Sequence, residues 1–169
     1  KCMPKSSLLT PRYSLLSFFE HLDVERTVSK LTIRNYRMYL TYFCDWFEEQ
    51  GYKSVDQITQ EVVRQFRLYL SEKLTQDGEP ISKRTQSYYI IALRSWLKWL
   101  IKNDVSVLHP EKIDLPKVES NHMKFLSSDK IELLLAQPSL SSKTGLRDKA
   151  ILEVLFSTGL RVSELVNLN

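Results

Sequence analysis

Residues 82–103 read SKRTQSYYIIALRSWLKWLIKN, and this stretch decides the predicted fold. When the residues are placed at steps of about 100°, as in an α-helix, large apolar side chains gather on one side. These are Leu93, Trp96, Leu97 and Leu100. Basic side chains fall within an adjoining arc of about 100°, and these are Lys83, Arg84, Arg94, Lys98 and Lys102. Because an apolar helix face must be buried, we predict a helix with a core side and a separate, positively charged side.

Three more helices are predicted before this one. In each of them apolar residues recur three or four positions apart, which is the spacing of one buried helix face. The helices are expected over residues of about 14–26, 32–50 and 59–73, with Ser14 as a candidate capping residue and Gly51 as a stop. With short connections, the four helices would form an all-α bundle of about 90 residues.

Two windows of the sequence carry basic residues and no acidic residue. They lie between Glu25 and Asp45 and between Glu79 and Asp104, in a chain whose net charge is only +4. Clustered Lys and Arg bind DNA by neutralising phosphates and releasing counterions, and neighbouring hydroxyl and amide groups add hydrogen bonds. The predicted DNA contacts are Lys30, Thr32, Arg34, Asn35, Arg37, Lys83, Arg84, Thr85, Ser87, Arg94 and Lys98. The alternative is a solvated face that only aids solubility.

Other classes of function find little support in the sequence. No apolar run reaches the length of about 18 residues that a membrane span requires, so no membrane partner is expected. The cysteines, Cys2 and Cys44, are too few for a disulfide framework, which favours a reducing, cytoplasmic location. The histidines are too scattered for a metal site, and they are His21, His109 and His122. No glycine-rich phosphate loop or serine nucleophile motif is present.

Aromatic residues on two of the predicted helices could stack on nucleic-acid bases or pack in the core. One group lies on the fourth helix and comprises Tyr88, Tyr89, Trp96 and Trp99, and the other lies on the second helix and comprises Tyr39, Tyr42 and Trp46. Single-strand binding proteins use such aromatic platforms. Because both groups share their helix with a strong apolar face, core packing is the favoured interpretation.

A second feature lies further along the sequence, where residues 155–165 read LFSTGLRVSEL. An apolar helix runs into Gly159, and glycine ends helices because it adopts the left-handed conformation without steric cost. Arg161 follows this stop and Glu164 comes one turn later, so the carboxylate can hold the guanidinium. A guanidinium fixed in this way is suited to bind a phosphate. The alternative is an ordinary surface ion pair.

The segment between the bundle and this feature differs in composition. Residues 107–123 contain two prolines, mixed charge and little periodicity, which indicates an interdomain linker. Helices are predicted after it, near 127–136, over 146–158 and from 162 onwards. About 45 residues are too few to close a core. The predicted organisation is a first domain over 1–108, a linker over 109–122 and a truncated second domain over 123–169.

Taken in order, these segments resemble the N-terminal part of a tyrosine site-specific recombinase of the phage-integrase and Xer type. The resemblance is carried by FFEHL (18–22), LTIRNY (31–36), ISKRT (81–85), LRSWLKWL (93–100), LPK (115–117), FLS (125–127) and, most specifically, RDKAIL (147–152) with STGLRVSEL (157–165). It implies a four-helix, SAM-like core-binding domain, followed by the linker and the helical start of the catalytic domain.

The resemblance also implies a mechanism and partners. Such enzymes cut and rejoin DNA strands through a phosphotyrosyl intermediate, without ATP or a metal cofactor. Arg161 would be the first arginine that clamps the phosphate in the transition state, and Glu164 would hold that arginine in place. The partners would be a double-stranded recombination site and further recombinase molecules, either copies of the chain or a related protein, assembled as a tetramer.

The sequence departs from the family in the position of its tyrosines. The family's nucleophilic tyrosine follows the first arginine, whereas no tyrosine of this sequence lies beyond Tyr89. We therefore expect this polypeptide to bind DNA without cleaving it. A non-enzymatic helical DNA-binding module and a bundle that binds only proteins are the alternatives.

Overall fold

A computed structural model describes residues 9–24, 28–75, 78–115 and 125–168 of the chain. Within these ranges the chain forms α-helices and short 3-10 helices but no β-strand, with one isolated bridge between Leu74 and Pro80. The chain divides into two compact units, residues 1–119 and 120–169. The predicted all-α fold is confirmed.

The first unit contains the four predicted helices. They are α1 (Pro11–Val24), α2 (Lys30–Glu49), α3 (Gln60–Glu72) and α4 (Lys83–Lys102). The predicted start of α1 at Ser14 is wrong, because the helix begins at Pro11, whose missing N–H and fixed φ suit a first turn. Ser14 is buried instead, and its hydroxyl donates to the carbonyl oxygen of Pro11 at 2.8 Å. The last residues of this predicted helix, 25–26, lie outside the described residues.

The two basic helices, α2 and α4, begin in the same way. Each starts with the sequence Ser-Lys-x-Thr, in which the serine is the N-cap. The hydroxyl oxygen of Ser29 accepts from the amide of Thr32 at 3.2 Å, and that of Ser82 accepts from the amide of Thr85 at 3.2 Å. Such a cap satisfies a backbone N–H that the helix leaves unpaired and contributes about 1 kcal/mol. The first basic residues of both helices therefore lie in a well-defined turn.

Aromatic side chains fill the core between α2, α3 and α4. The Phe43 ring meets the Phe66 ring edge to face at a centroid distance of 4.9 Å, and it lies 6.2 Å from the Trp96 ring. Contacts advance in the same direction along α2 and α4, because Tyr39 meets Tyr89 and Phe43 meets Trp96 further on. The N-termini of α2 and α4 therefore lie towards the same end of the bundle.

Most aromatic residues of α4 pack in the core, as the sequence pattern favours. Trp96 is fully buried, and Tyr89 and Trp99 are nearly so. Tyr88 differs, because it is 46% exposed and stacks on Tyr39 at a centroid distance of 6.4 Å. Core packing therefore accounts for Tyr89, Trp96 and Trp99 and leaves Tyr88 on the surface.

The first unit continues past α4 into a short 3-10 helix, Pro110–Lys112, which we call the exit turn. Pro110 and Ile113 are buried in the first unit, and the exit turn contacts α4. The segment predicted as a linker over 109–122 therefore starts, up to residue 114, as a packed part of the first unit. Residues 116–122 of that segment lie outside the described residues.

The second unit consists of helices that expose their apolar side chains. The helices are α5 (Ser128–Leu135), α6 (Gly145–Thr158) and α7 (Val162–Val166). Phe125 is 83% exposed, Phe156 is also exposed, and Gly145 is the one buried residue among residues 125–168. So short a segment offers too few residues to bury these side chains against one another.

Candidate nucleic-acid interface

The basic residues of α2 lie exposed at helical spacing, and one of them contacts α1. Lys30, Arg34 and Arg37 are exposed, and the guanidinium carbon of Arg37 lies 4.6 Å from the centre of the Phe19 ring. This cation–π contact holds the Arg37 guanidinium in place. Because an aromatic ring carries no net charge, Arg37 keeps its full positive charge for a phosphate.

The predicted polar contacts on α2 are less exposed than the basic residues of the same helix. Thr32 and Asn35 are half-buried, and the Thr32 hydroxyl oxygen lies 2.9 Å from the Ser29 hydroxyl oxygen. A threonine hydroxyl has one donor and two acceptor sites, so Thr32 retains hydrogen-bonding capacity beyond this contact.

The predicted contacts on α4 fall into an exposed group and a half-buried group. Lys83, Arg84 and Lys98 are exposed, while Thr85 and Arg94 are half-buried.

Ser87, which the sequence places among these contacts, is a core residue instead. Only 5% of it is exposed, and its hydroxyl donates to the carbonyl oxygen of Lys83 at 2.9 Å. Its hydrogen-bonding capacity is used within its own helix, so Ser87 does not belong to the basic surface.

Charge pairing separates the cations of α2 and α4 from several other basic residues. Arg12 forms salt bridges with Asp45 and Glu48, and Arg64 forms one with Glu61. In the ranges that the structure describes, no salt bridge joins an acidic side chain to Lys30, Arg34, Arg37, Lys83, Arg84, Arg94 or Lys98. Such cations can exchange their counterions for DNA phosphates without first breaking an ion pair.

An open groove of about 570 Å³ lies at the C-terminal half of α4. It is lined by α1, α4 and the exit turn, and it contains Arg94, Lys98 and Lys102 beside Trp99 and His109. Lys102 belongs to the basic arc of the sequence but was not among the predicted contacts. His109 could not be placed here from local pattern, because it reaches the groove only when the chain folds back after α4.

Lys73 adds a cation that the sequence analysis missed. It follows α3 and lines a surface depression together with Arg34, Arg37 and Tyr42. Its ammonium nitrogen lies 3.3 Å from the centre of the Tyr42 ring, and partial burial lowers the pKa of Lys73. Lys73 lies outside both basic windows, so charge patterning gives no signal for it.

In the second unit, the structure brings Arg161 and Glu164 together at the start of α7. Helix α6 ends at Gly159 in the left-handed conformation (φ 67°, ψ 17°), and the Gly159 N–H donates to the carbonyl oxygen of Leu155 at 3.0 Å. One carboxylate oxygen of Glu164 accepts from the main-chain nitrogen of Arg161 at 2.8 Å, and the other accepts from Nη1 at 3.1 Å. Glu164 therefore holds both the backbone and the guanidinium of Arg161.

The guanidinium of Arg161 is open to an anion. The side chain is 82% exposed, and Glu164 occupies only one of its nitrogens. A guanidinium carries five N–H donors, so most of them stay available for phosphate oxygens.

The described ranges contain neither a cluster of metal ligands nor a membrane-spanning helix. No group of three or more His, Cys, Asp or Glu residues that could hold a metal ion occurs there. None of the helices in those ranges is long and apolar enough to cross a membrane.

Comparison with known proteins gives a family match over the first unit. The model of the phage integrase N-terminal SAM-like domain matches residues 15–104. The chain is also similar in structure to the N-terminal domain of a phage integrase/site-specific recombinase from Haloarcula marismortui, with a TM-score of 0.54, 23% identity and coverage of 64% of this chain and 97% of that chain. At this identity the structural likeness supports the fold alone.

Curated relatives match beyond the first unit. Tyrosine recombinase XerC 2 of Ralstonia nicotianae is 31% identical over 167 residues, which cover 98% of this chain and 48% of that protein. Tyrosine recombinase XerC of Bacillus licheniformis is 36% identical over 155 residues, which cover 91% and 49%. The chain therefore spans about half the length of the curated relatives that it matches.

Proposed function

Because the chain belongs to the tyrosine recombinases of the phage-integrase type, we propose that its first unit binds duplex DNA during site-specific recombination. The observation that carries this proposal is the set of cations on α2 and α4 that have no acidic partner among the described residues. Clustered cations of this kind provide affinity for the phosphate backbone.

The bundle would present the N-terminal turns of α2 and α4 to the DNA. Both turns lie towards one end of the bundle, both are capped by serine, and both carry lysine at their first position. Helix N-termini attract phosphates through the helix dipole, and the major groove is wide enough to admit an α-helix. Arg34, Arg37, Arg94 and Lys98 would bind phosphates further along the helices, while Thr32, Asn35 and Thr85 would add hydrogen bonds.

The second unit would supply part of the catalytic machinery of the whole protein. Arg161 would grip the non-bridging oxygens of the phosphate under attack, and Glu164 would keep the guanidinium aimed. The nucleophilic tyrosine would come from outside the 169 residues of this sequence. The phosphotyrosyl bond conserves the energy of the broken DNA bond, so neither ATP nor a metal ion would be needed.

Trapping a covalent protein–DNA adduct tests this function. With a nicked duplex that cannot be religated, the full-length protein should form the adduct, and the 169-residue polypeptide should bind the same duplex without forming it. Binding without an adduct from the full-length protein would favour a non-enzymatic DNA-binding module. Affinity that does not fall with rising salt would leave only a bundle that binds proteins.

Exchange between two duplexes requires several active sites at once, so we infer a tetramer on paired recombination sites, made of copies or of a related recombinase. Native mass spectrometry of the protein bound to two duplex sites checks this stoichiometry. A cytoplasmic location follows from the proposed DNA substrate.

A further inference from the structure

Arg67 on α3 holds the segment that follows the exit turn. Its Nη2 donates to the main-chain carbonyl oxygen of Asp114, 47 residues later in the sequence. Two buried residues of the same segment, Pro110 and Ile113, pack into the first unit just before this contact. The exit segment is therefore held at three places within five residues.

The position of Arg67 is an unfavourable one for an arginine. Its Nε is buried and has no hydrogen-bond acceptor within the described part of the chain. Burial lowers the pKa of Arg67, the Asp114 carboxylate raises it, and the nearby positive charge of Arg94 lowers it. Buried donors without a partner disfavour the folded state, so a role beyond simple surface solvation is indicated.

Arg64, one turn earlier on the same helix, shows what an ordinary surface arginine does. It is exposed and pairs with Glu61 through two hydrogen bonds of 2.7 Å and 2.6 Å. Among the described residues, the side-chain hydrogen bonds of Arg64 stay within α3, whereas Arg67 bridges α3 to the exit segment.

We propose that Arg67 is a positioning residue that anchors residues 110–114 to the DNA-binding bundle, and so shortens the free chain that joins the bundle to the catalytic half. This inference rests on the function proposed above. The acceptor is a backbone oxygen, so the contact restrains the path of the chain rather than one side chain. The exit turn also lines the groove that contains Arg94 and Lys98. The exit turn therefore lies beside two of the cations proposed to bind DNA.

The physical effect is on effective concentration. A tethered domain reacts at a rate set by how often its tether places it correctly, and loosening the tether lowers that frequency. Each residue released from the anchor adds up to about 3.5 Å of reach and two free dihedral angles. Loss of the Arg67 contact should therefore slow the cleavage step while leaving the DNA-binding surface intact.

The test uses the full-length protein with Arg67→Met and, as matched control, Arg64→Met. Both variants lose one positive charge from α3 and keep an unbranched side chain. We expect the DNA affinities of the two variants to agree within about twofold, and single-turnover cleavage at saturating protein to fall about twofold in R67M alone. Equal cleavage rates in R67M, R64M and the unaltered protein would overturn the inference.

Three further measurements separate anchoring from other causes. Amide hydrogen exchange over residues 110–115 should rise in R67M but not in R64M, and this readout does not depend on cleavage. R67K keeps the charge and a donor, so it should cleave DNA faster than R67M. This second variant keeps the inference testable if R67M folds poorly. D114N should keep most of the cleavage rate, because it removes the Asp114 charge but leaves the backbone carbonyl that accepts from Arg67. Unchanged exchange in R67M, or a D114N effect equal to that of R67M, would refute the backbone anchor. A full-length protein that never forms the covalent adduct would instead refute the proposed function.

Discussion

Replacing Arg34 and Lys98 by glutamine should lower the salt dependence of DNA binding by a definite amount. Both side chains are exposed, they lie on α2 and α4 respectively, and neither forms a salt bridge with a described acidic residue. Each phosphate contact contributes about −0.9 to the slope of log K against log salt concentration. Each single variant should therefore make the slope shallower by about 0.9, and the double variant by about 1.8.

The size of the whole effect follows from the same reasoning. Seven cations of α2 and α4 belong to the proposed surface. Together these residues should contribute at most about −6 to the slope of the unaltered protein. If the affinity at 1 M salt is unchanged, the loss of one phosphate contact lowers the affinity at 0.1 M salt about eightfold. The seven residues are Lys30, Arg34, Arg37, Lys83, Arg84, Arg94 and Lys98.

The assay is fluorescence anisotropy of a labelled duplex titrated with protein at several salt concentrations. Arg64→Gln is the matched control, since Arg64 is exposed but paired with Glu61 on α3. Its slope should equal that of the unaltered protein. The assignment of α2 and α4 to the DNA surface fails if R34Q and K98Q leave the slope unchanged, or if R64Q alters it as much as they do.

Other variants test the site, the core and a buried thiol. In the full-length protein, Glu164→Gln should reduce cleavage by at least about tenfold with DNA affinity preserved, because the Arg161 guanidinium loses its charged holder; equal cleavage would remove Glu164 from the mechanism. Phe66→Ala should lower the free energy of unfolding by about 3–5 kcal/mol in urea titrations, because the ring is fully buried against Phe43; a loss below about 1 kcal/mol would contradict this packing. Burial raises the pKa of Cys44 to about 12, so the thiol should resist iodoacetamide at pH 8 when folded and react in urea; rapid labelling of the folded protein would contradict the burial.

The helices were predictable because the pattern of apolar residues that defines each helix lies within that helix. The apolar positions of α2 and α4 repeat with the helical period over twenty residues, so their buried sides emerge from spacing alone. Ser87 was misassigned for a related reason, since a serine beside basic residues gives no sign that its hydroxyl will bind its own helix at Lys83. The Arg161 and Glu164 pair was predictable because the partners lie three residues apart.

Features that depend on distant parts of the chain were not predictable. The contact from Arg67 to Asp114 joins residues 47 positions apart, and no periodicity links them. The prolines of the predicted linker indicated an extended chain, yet Pro110 is buried in the first unit. Burial of a short segment depends on which surface lies beneath it, and that surface exists only after the bundle has formed.

The exposure of leucine and phenylalanine side chains in residues 125–168 matters while the protein is being synthesised. As the chain emerges from the ribosome, the bundle can complete its core once its own residues are out. The later helices cannot bury their apolar side chains against one another, so they stay prone to aggregation until another surface covers them. Between the synthesis of these helices and their burial, the nascent chain should aggregate most readily and depend most on chaperones.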